Sequence, residues 1–100
     1  MYRQGDILLV PVSEIPKSKK VKASQGRLIL ARGEATGHHH SVAIDEAVLF
    51  VSPDSILFLD VAKESALQHQ EHADVILPIG QYRIIRQREY APEQVRYVVD

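Results

Sequence analysis

The hydrophobic residues of this chain lie in short runs that are rich in β-branched side chains and separated by turn residues. Runs of this length and composition favour β-strands over helices. They predict strands at residues 7–12, 27–32, 38–44, 48–51, 56–61, 75–80 and 81–90. We therefore expect an all-β fold, a single compact barrel or sandwich of about seven or eight short strands with little helix.

Two segments have a weaker pattern. Ser65 and Gln68 have the spacing of a capping box that would open a short helix, but the apolar content of residues 65–72 is too thin for a helical stripe. We favour a strand through Leu67 and His69. Near the end of the chain, residues 91–94 suit one helical turn before a last short strand at 97–99.

Two connections carry clear turn or loop signals. The Pro53-Asp54 pair predicts a turn that joins the runs 48–51 and 56–61 as a hairpin. Residues 14–25 contain one proline and four lysines, Lys17, Lys19, Lys20 and Lys22, with little apolar content. We expect this segment to be a mobile, solvated loop with no firm packing.

Composition places the chain among soluble, single-domain proteins. A length of 100 residues, 45% of them hydrophobic and 25% charged, suits one domain over residues 1–100 with one core. A net charge of −1 provides no field to attract nucleic acid or an anionic membrane, so we expect neither as a partner. The apolar run at 7–10 is too short for a signal peptide, and we expect a cytoplasmic protein.

Chemistry-bearing residues are concentrated in the histidines. The chain has no cysteine, so a metal site must use His, Asp, Glu or water. All five histidines fall in two patches, His38-His39-His40 and the pair His69 and His72. Imidazole titrates near neutral pH and is a common transition-metal ligand, so these patches are the candidate site.

Strand alternation predicts how the first patch is arranged. His38 and His40 share one face of a strand, about 6.5–7 Å apart at Cα, while His39 points the other way. With His69 and His72 they supply four nitrogens, a set that suits zinc, nickel or non-haem iron as the cofactor. Three of these nitrogens together with the carboxylate of Glu34 or Glu46 would suit the same metals. The alternative is a hydrogen-bonded or exposed polar cluster with no metal.

Function is less determined than the site. If the protein is an enzyme, the metal would act as a Lewis acid or water activator, with Glu34 or Glu71 as the proton acceptor. The alternative is a non-catalytic binding module that contacts a protein or nucleic acid through its edge strand or its basic loop, residues 17–22. A nucleic-acid surface would combine this loop with Arg83, Arg86 and Arg88. A small-molecule or protein partner and homo-oligomerisation remain open.

The spacing His38-x-His40, followed by Asp45 or Glu46 and a later Pro-x-Gly at 78–80, resembles the first motif of the cupin family. Cupins are small β-barrels in which paired histidines, a glutamate and a further histidine hold a divalent metal. The resemblance implies that His38, His40 and Glu46 are ligands, with His69 or His72 as the later histidine.

Nearly the full chain also resembles a small, uncharacterised bacterial family. The similarity lies in residues 3–6, 33–40, 69–72 and 86–90. This resemblance implies a stand-alone domain and carries no implication for mechanism.

Overall fold

The computed structural model describes residues 1–33 and 37–87, and within them it confirms the all-β fold. Ten strands are described: β1 (Tyr2–Gln4), β2 (Ile7–Pro11), β3 (Lys19–Lys20), β4 (Arg27–Arg32), β5 (His39–Ala43), β6 (Ala47–Val51), β7 (Leu57–Val61), β8 (Ser65–His69), β9 (His72–Leu77) and β10 (Gly80–Arg86). The expected seven or eight strands are thus too few. In this part of the chain no helix is present, and hence none that could span a membrane.

The strands form two antiparallel sheets that make a sandwich-like fold. One sheet has six strands in the order β1-β2-β10-β7-β6-β3, and the other has four in the order β4-β5-β8-β9. Each sheet keeps two edge strands, so over the described residues the fold is not a closed barrel. The barrel alternative is therefore wrong, and the sandwich alternative holds.

The core is formed by side chains that alternate inward from both sheets. Leu9, Leu49 and Leu59 of the six-stranded sheet and Val42 and Leu67 of the four-stranded sheet are fully buried in one cluster. Burial of a Val or Leu side chain contributes roughly 1.5–3 kcal/mol relative to exposure. This shared core fixes the inward faces of β5 and β8, the two strands that carry candidate histidines.

Several predicted elements are found with shifted bounds. β6 and β7 pair as the hairpin expected around Pro53-Asp54, and residues 65–69 form a strand, as favoured from the sequence. The run predicted at 75–80 begins earlier, at His72, because it pairs back on β8 across a short turn. The predicted strand 81–90 is seen as far as Arg86. The turn at 91–94 and the strand at 97–99 lie outside the described residues.

The lysine-rich segment is better anchored than we expected. Lys19 and Lys20 form β3, which pairs with the end of β6, and the Val21 amide donates to the Leu49 carbonyl over 2.8 Å. The Val21 side chain packs against the core, while Lys17, Lys19, Lys20 and Lys22 are exposed. The expectation of an unpacked loop is therefore wrong, since one apolar residue is enough to dock it.

Both histidine-bearing strand pairs carry an irregular register. The β4–β5 register shifts between Ile29 and Ala31, and the β8–β9 register shifts between Leu67 and His69. Such bulges bend a strand and change the direction of the side chains beyond them. In both pairs the residues beyond the shift include histidines.

Candidate functional site

Four of the five histidines come together at one place in the fold. The His69 ring lies between those of His40 and His72, with centroid distances of 4.4 and 4.5 Å. The His40 and His72 rings are nearly parallel, 6.1 Å apart with planes at 11°. The His38 ring joins from the side, 5.8 Å from that of His69. The structure thus brings together His38, His40, His69 and His72, which we call the histidine cluster.

The second histidine patch is positioned by a hairpin. His69 ends β8 and His72 begins β9, and the two are cross-strand partners across Gln70 and Glu71. The register shift adds one residue to β9 between the pair Leu67 and Val75 and the pair His69 and His72. Directly opposed residues have Cβ atoms about 4.5–5.5 Å apart, so the bulge places two imidazoles side by side.

His40 forms the buried base of the cluster. Its side chain is 1% exposed, and its Nδ1 lies 2.9 Å from Oε1 of Gln4. Gln4 is itself buried, and its amide nitrogen donates to the carbonyls of Leu67 (2.8 Å) and Ala73 (2.9 Å). Because both amide protons are used in this way, the Gln4 oxygen must face His40 as an acceptor.

The second ring nitrogen of His40 faces a carboxylate. Nε2 lies 3.2 Å from Oδ1 of Asp6, whose other oxygen accepts from Nε of Arg86 over 2.9 Å. Arg86 is fixed further by a bond to the Arg32 carbonyl. Burial opposes ionisation of Asp6, but the hydrogen bond and charge of Arg86 and the bond to His40 outweigh it, so the pKa of Asp6 is lowered.

The surroundings of two histidines of the cluster, His40 and His69, favour the neutral imidazole over the imidazolium. Burial is the main cause of the lowered pKa of His40, and the proximity of His69 and His72 adds to it, while Asp6 acts in the opposite direction. Burial also lowers the pKa of His69, with further lowering from His72 and His38. A neutral imidazole has a free lone pair, which is the form that binds metals.

The outer side of the cluster is open to solvent. His72 is exposed, and Nδ1 of His38 lies 3.6 Å from Oε1 of Glu71. The Glu71 amide donates to Nδ1 of His69 over 3.0 Å. A ligand could therefore approach from this side, past the predicted proton acceptor Glu71.

His39 lies apart from the cluster. Its amide donates to the Gln70 side chain over 2.8 Å, and its Nδ1 is 3.2 Å from the Gly37 carbonyl. The ring faces a shallow polar cavity of about 370 Å³ that His69 also lines, and no ring contact joins the two histidines. The cavity lining is Arg27, His39, Ser41, Gln68, His69, Gln70 and Asp74.

Among the other candidate acids, Glu46 is far from the histidines. Its Oε1 accepts from the Ser65 hydroxyl at the start of β8, whereas His69 is at the end of that strand. Glu46 is therefore not part of the cluster, and the ligand sets that include it are wrong. Glu34 lies outside the described residues.

In the conformation shown, residues 1–33 and 37–87 contain no group of three His, Asp or Glu side chains placed to hold a metal ion. The contacts described above explain why the histidine cluster does not form such a group. Both ring nitrogens of His40 face oxygen atoms, and Nδ1 of His69 accepts from the Glu71 amide. Metal binding would require the more exposed rings to turn.

Comparison with known families identifies the chain at the family level. Residues 3–87 match the family described as a domain of unknown function, DUF8820. The chain belongs to this family. The matched region includes the whole histidine cluster together with Gln4, Asp6 and Arg86. No cupin motif is shown, so that resemblance assigns no ligand. No curated protein and no solved structure matches the chain.

Sequence reasoning missed the residues that support the cluster. Gln4 lies on β1, a three-residue strand with too little apolar pattern to predict, and Asp6 belongs to a common Gly-Asp turn. For Arg86 the sequence predicts only a basic surface residue. The sequence signal that could have pointed to Asp6 is the turn Gly5-Asp6 itself, which places a carboxylate at the end of a strand.

Proposed function

We propose that this protein binds a divalent transition-metal ion, such as zinc, nickel or iron(II), through the histidine cluster. The observation that carries the proposal is that two separate hairpins bring four imidazoles together. One of the four, His40, is buried and held in a fixed orientation. Isolated surface histidines have no such support. In metal sites, a ligating histidine usually donates its other ring nitrogen to a carbonyl or carboxylate oxygen. Gln4 plays that part for His40, over 2.9 Å.

The spacing of the rings supports a shared ion. With metal–nitrogen bonds of about 2.0–2.1 Å and tetrahedral angles, the centroids of two ligating imidazoles are about 5 Å apart. The centroid distances between His40, His69 and His72 are 4.4, 4.5 and 6.1 Å. Rotations of the rings are therefore enough, and the backbone does not have to move far.

Two of the rings are free to make that adjustment. His72 is exposed and His69 is only partly buried, so rotamer changes are not blocked by the core. Coordination through Nε2 of His69 would move its proton to Nδ1 and release the Glu71 amide. That amide is on an exposed turn, where water can replace the lost bond.

A bound ion would provide a Lewis acid at the solvent-exposed end of the cluster. Glu71 is then a carboxylate at the exposed rim of the cluster, in contact with His38. Its side chain is 66% exposed and can reach a ligand that enters the cluster. In a catalytic protein, Glu71 would take a proton from a metal-bound water.

Metal-dependent thermal stability tests the proposal. An ion that binds only the folded chain adds about 2.7 kcal/mol at 100 times its dissociation constant. Each kcal/mol raises the melting midpoint of a domain this size by roughly 4–8 °C. Zinc or nickel at that concentration should therefore raise the midpoint by about 10 °C or more.

The variants for this test are matched. His69→Ala with His72→Ala removes two exposed or half-exposed rings and should abolish the gain, whereas His39→Ala on the neighbouring strand should keep it. If no added metal raises the melting midpoint of the wild-type protein, the proposal is wrong. The binding-module alternative, with a protein or nucleic-acid partner, would then be the better one.

A further inference from the structure

The outer face of the four-stranded sheet carries a charged residue on each of its edge strands. Arg27 begins β4 and Asp74 lies on β9, the two outermost strands in the order β4-β5-β8-β9. Both residues line the shallow polar cavity of about 370 Å³, together with Ser41 of β5 and Gln68 of β8. All four strands thus contribute to one cavity, which has a cation at one side and a carboxylate at the other.

Neutral groups hold the Arg27 side chain in place. Its Nε donates to the Ser41 hydroxyl and its Nη2 to the Ser41 carbonyl, each over 3.1 Å, and Ser41 is itself 4% exposed. No ion pair within residues 1–33 and 37–87 includes Arg27. These two bonds use two of the five guanidinium protons, and the other three can be donated to a ligand. A guanidinium fixed in this way is already oriented to bind a carboxylate with two parallel hydrogen bonds.

The Asp74 carboxylate is held on the neighbouring strand. Its Oδ2 accepts from the side-chain amide of Gln68 over 3.3 Å, and Gln68 is the direct cross-strand partner of Ser41. Neighbouring strands are about 4.7–4.9 Å apart, so the two charges are attached to adjacent points of the sheet. In the described part of the chain Asp74 forms no ion pair with Arg27 or with any other cation. The cavity therefore keeps two opposite charges separated by neutral polar groups.

We propose that this cavity binds a small zwitterion, an amino acid or a dipeptide, with its carboxylate on Arg27 and its ammonium group on Asp74. The volume of about 370 Å³ equals that of about twelve water molecules at ~30 Å³ each, which is enough for a ligand of this size. The proposal goes beyond metal binding and requires no ion. Because His69 lines the cavity and belongs to the histidine cluster, the ligand would lie beside the proposed metal site.

Ligands that carry a single charge match the cavity less well. A simple carboxylate bound to Arg27 would lie near the like charge of Asp74, and a simple amine bound to Asp74 would lie near the guanidinium. A zwitterion places an opposite charge beside each of the two residues. It also offers polar atoms to the Gln68 and Gln70 side chains, which line the cavity as well. The charge pattern therefore selects for a ligand with both groups.

Titration of the wild-type protein followed by NMR tests the proposal. The protein is treated with a chelator and dialysed, so that no metal contributes to binding. The probes are glycine, 4-aminobutyrate and glycylglycine, each compared with its analogue that lacks the ammonium group: acetate, butyrate and N-acetylglycine. At least one zwitterion should shift the Arg27 Nε–H resonance and the amide resonances of Ser41 and Gln68. It should bind about tenfold or more tightly than its analogue, the ratio for one lost charge-assisted hydrogen bond.

Two variants assign the charges to their residues. Arg27→Gln should abolish binding of all the carboxylate probes. Asp74→Asn should lower the affinity for the zwitterion to that of its analogue and leave the affinity for the analogue no weaker than in the wild type. The matched controls are Arg83→Gln and Asp54→Asn, which remove exposed charges outside the cavity and should leave every affinity unchanged. The ratio between zwitterion and analogue in the wild type decides the matter even if a variant fails to fold.

The outcomes separate this proposal from metal binding. If no zwitterion shifts the resonances of the cavity in the wild-type protein, the proposal is overturned, and metal binding by the histidine cluster is unaffected. If the analogues bind as tightly as the zwitterions, or folded Asp74→Asn keeps the full ratio, the cavity is not selective for a zwitterion and the proposal is again overturned. Preference for glycine or 4-aminobutyrate would identify the ligand class as amino acids, and preference for glycylglycine would identify it as dipeptides.

Discussion

At the scale of single residues, the candidate site depends on groups that carry no signal by themselves. The alternation rule places His38 and His40 on the side opposite to His39, and the ring contacts of the structure agree with this arrangement. Nothing in the chain near His40 indicates Gln4 or Asp6, which are more than thirty positions away. Such long-range partners cannot be found without the pairing of the strands.

Gly5 provides a test of how tightly the turn and the cluster are fitted. Gly5→Ala places a side-chain residue at φ of +58° and pushes its Cβ against the His72 ring. A left-handed conformation costs an L-residue about 1–2 kcal/mol, so we expect the free energy of unfolding to fall by that amount. The exposed His72 ring should swing away, and its nuclear Overhauser contacts with His69 should disappear.

Gly26→Ala is the control for backbone strain alone. Gly26 has φ of +79° and no atom within 4 Å of an added Cβ. We expect a similar loss of stability in denaturant unfolding, with the contacts between His69 and His72 intact. If Gly5→Ala also leaves those contacts in place, Gly5 does not determine the position of His72.

At the scale of elements, the hydrophobic pattern predicts most strands but not the pairing that builds the site. The strand at 27–32 has the predicted bounds, because its apolar residues alternate between core and solvent. β1 and β3 are three and two residues long, too short for a period to be visible. The bulges at β4–β5 and β8–β9 are also not visible in the hydrophobic pattern, although the second one places His69 opposite His72.

The docking of β3 leads to a prediction about the lysine-rich segment. Val21 is packed against the core, so Val21→Ala should lower the free energy of unfolding by about 1 kcal/mol. Lys19→Gln with Lys20→Gln alters only exposed side chains and should change it by no more than about 0.5 kcal/mol. Urea denaturation of both variants measures the two effects. Equal effects would show that the charges, and not Val21, hold the segment.

At the scale of the whole molecule, the cluster lies where both sheets contribute side chains. The six-stranded sheet supplies Gln4 from β1, Asp6 from the turn that follows β1, and Arg86 from β10. The histidines lie in the four-stranded sheet or, for His38, directly before its strand β5. The site therefore exists only in the folded sandwich. Its titrating groups should then connect the protonation of the cluster to the stability of the entire domain.

The metal-free protein should lose stability in two stages as the pH falls. His40 and His69 have folded pKa values below the ordinary 6.5, so the unfolded chain binds more protons there and stability declines as the pH falls below about 6.5. Asp6 also has a lowered folded pKa. Its contribution is present above about pH 4 and is lost as the pH falls through the folded value. Urea unfolding across this pH range measures both stages.

Two variants assign the stages to their groups. His69→Gln should reduce the loss between pH 7.5 and 5, because one histidine that resists protonation has been removed. Asp6→Asn should abolish the acid stage that belongs to its carboxyl group, and it should enlarge the loss near pH 6, since Asp6 is the group that favours the protonated form of His40. A wild-type stability that stays flat from pH 7.5 to 5 would mean that the histidines titrate alike in the folded and unfolded chains, and that His40 is not held neutral by its surroundings.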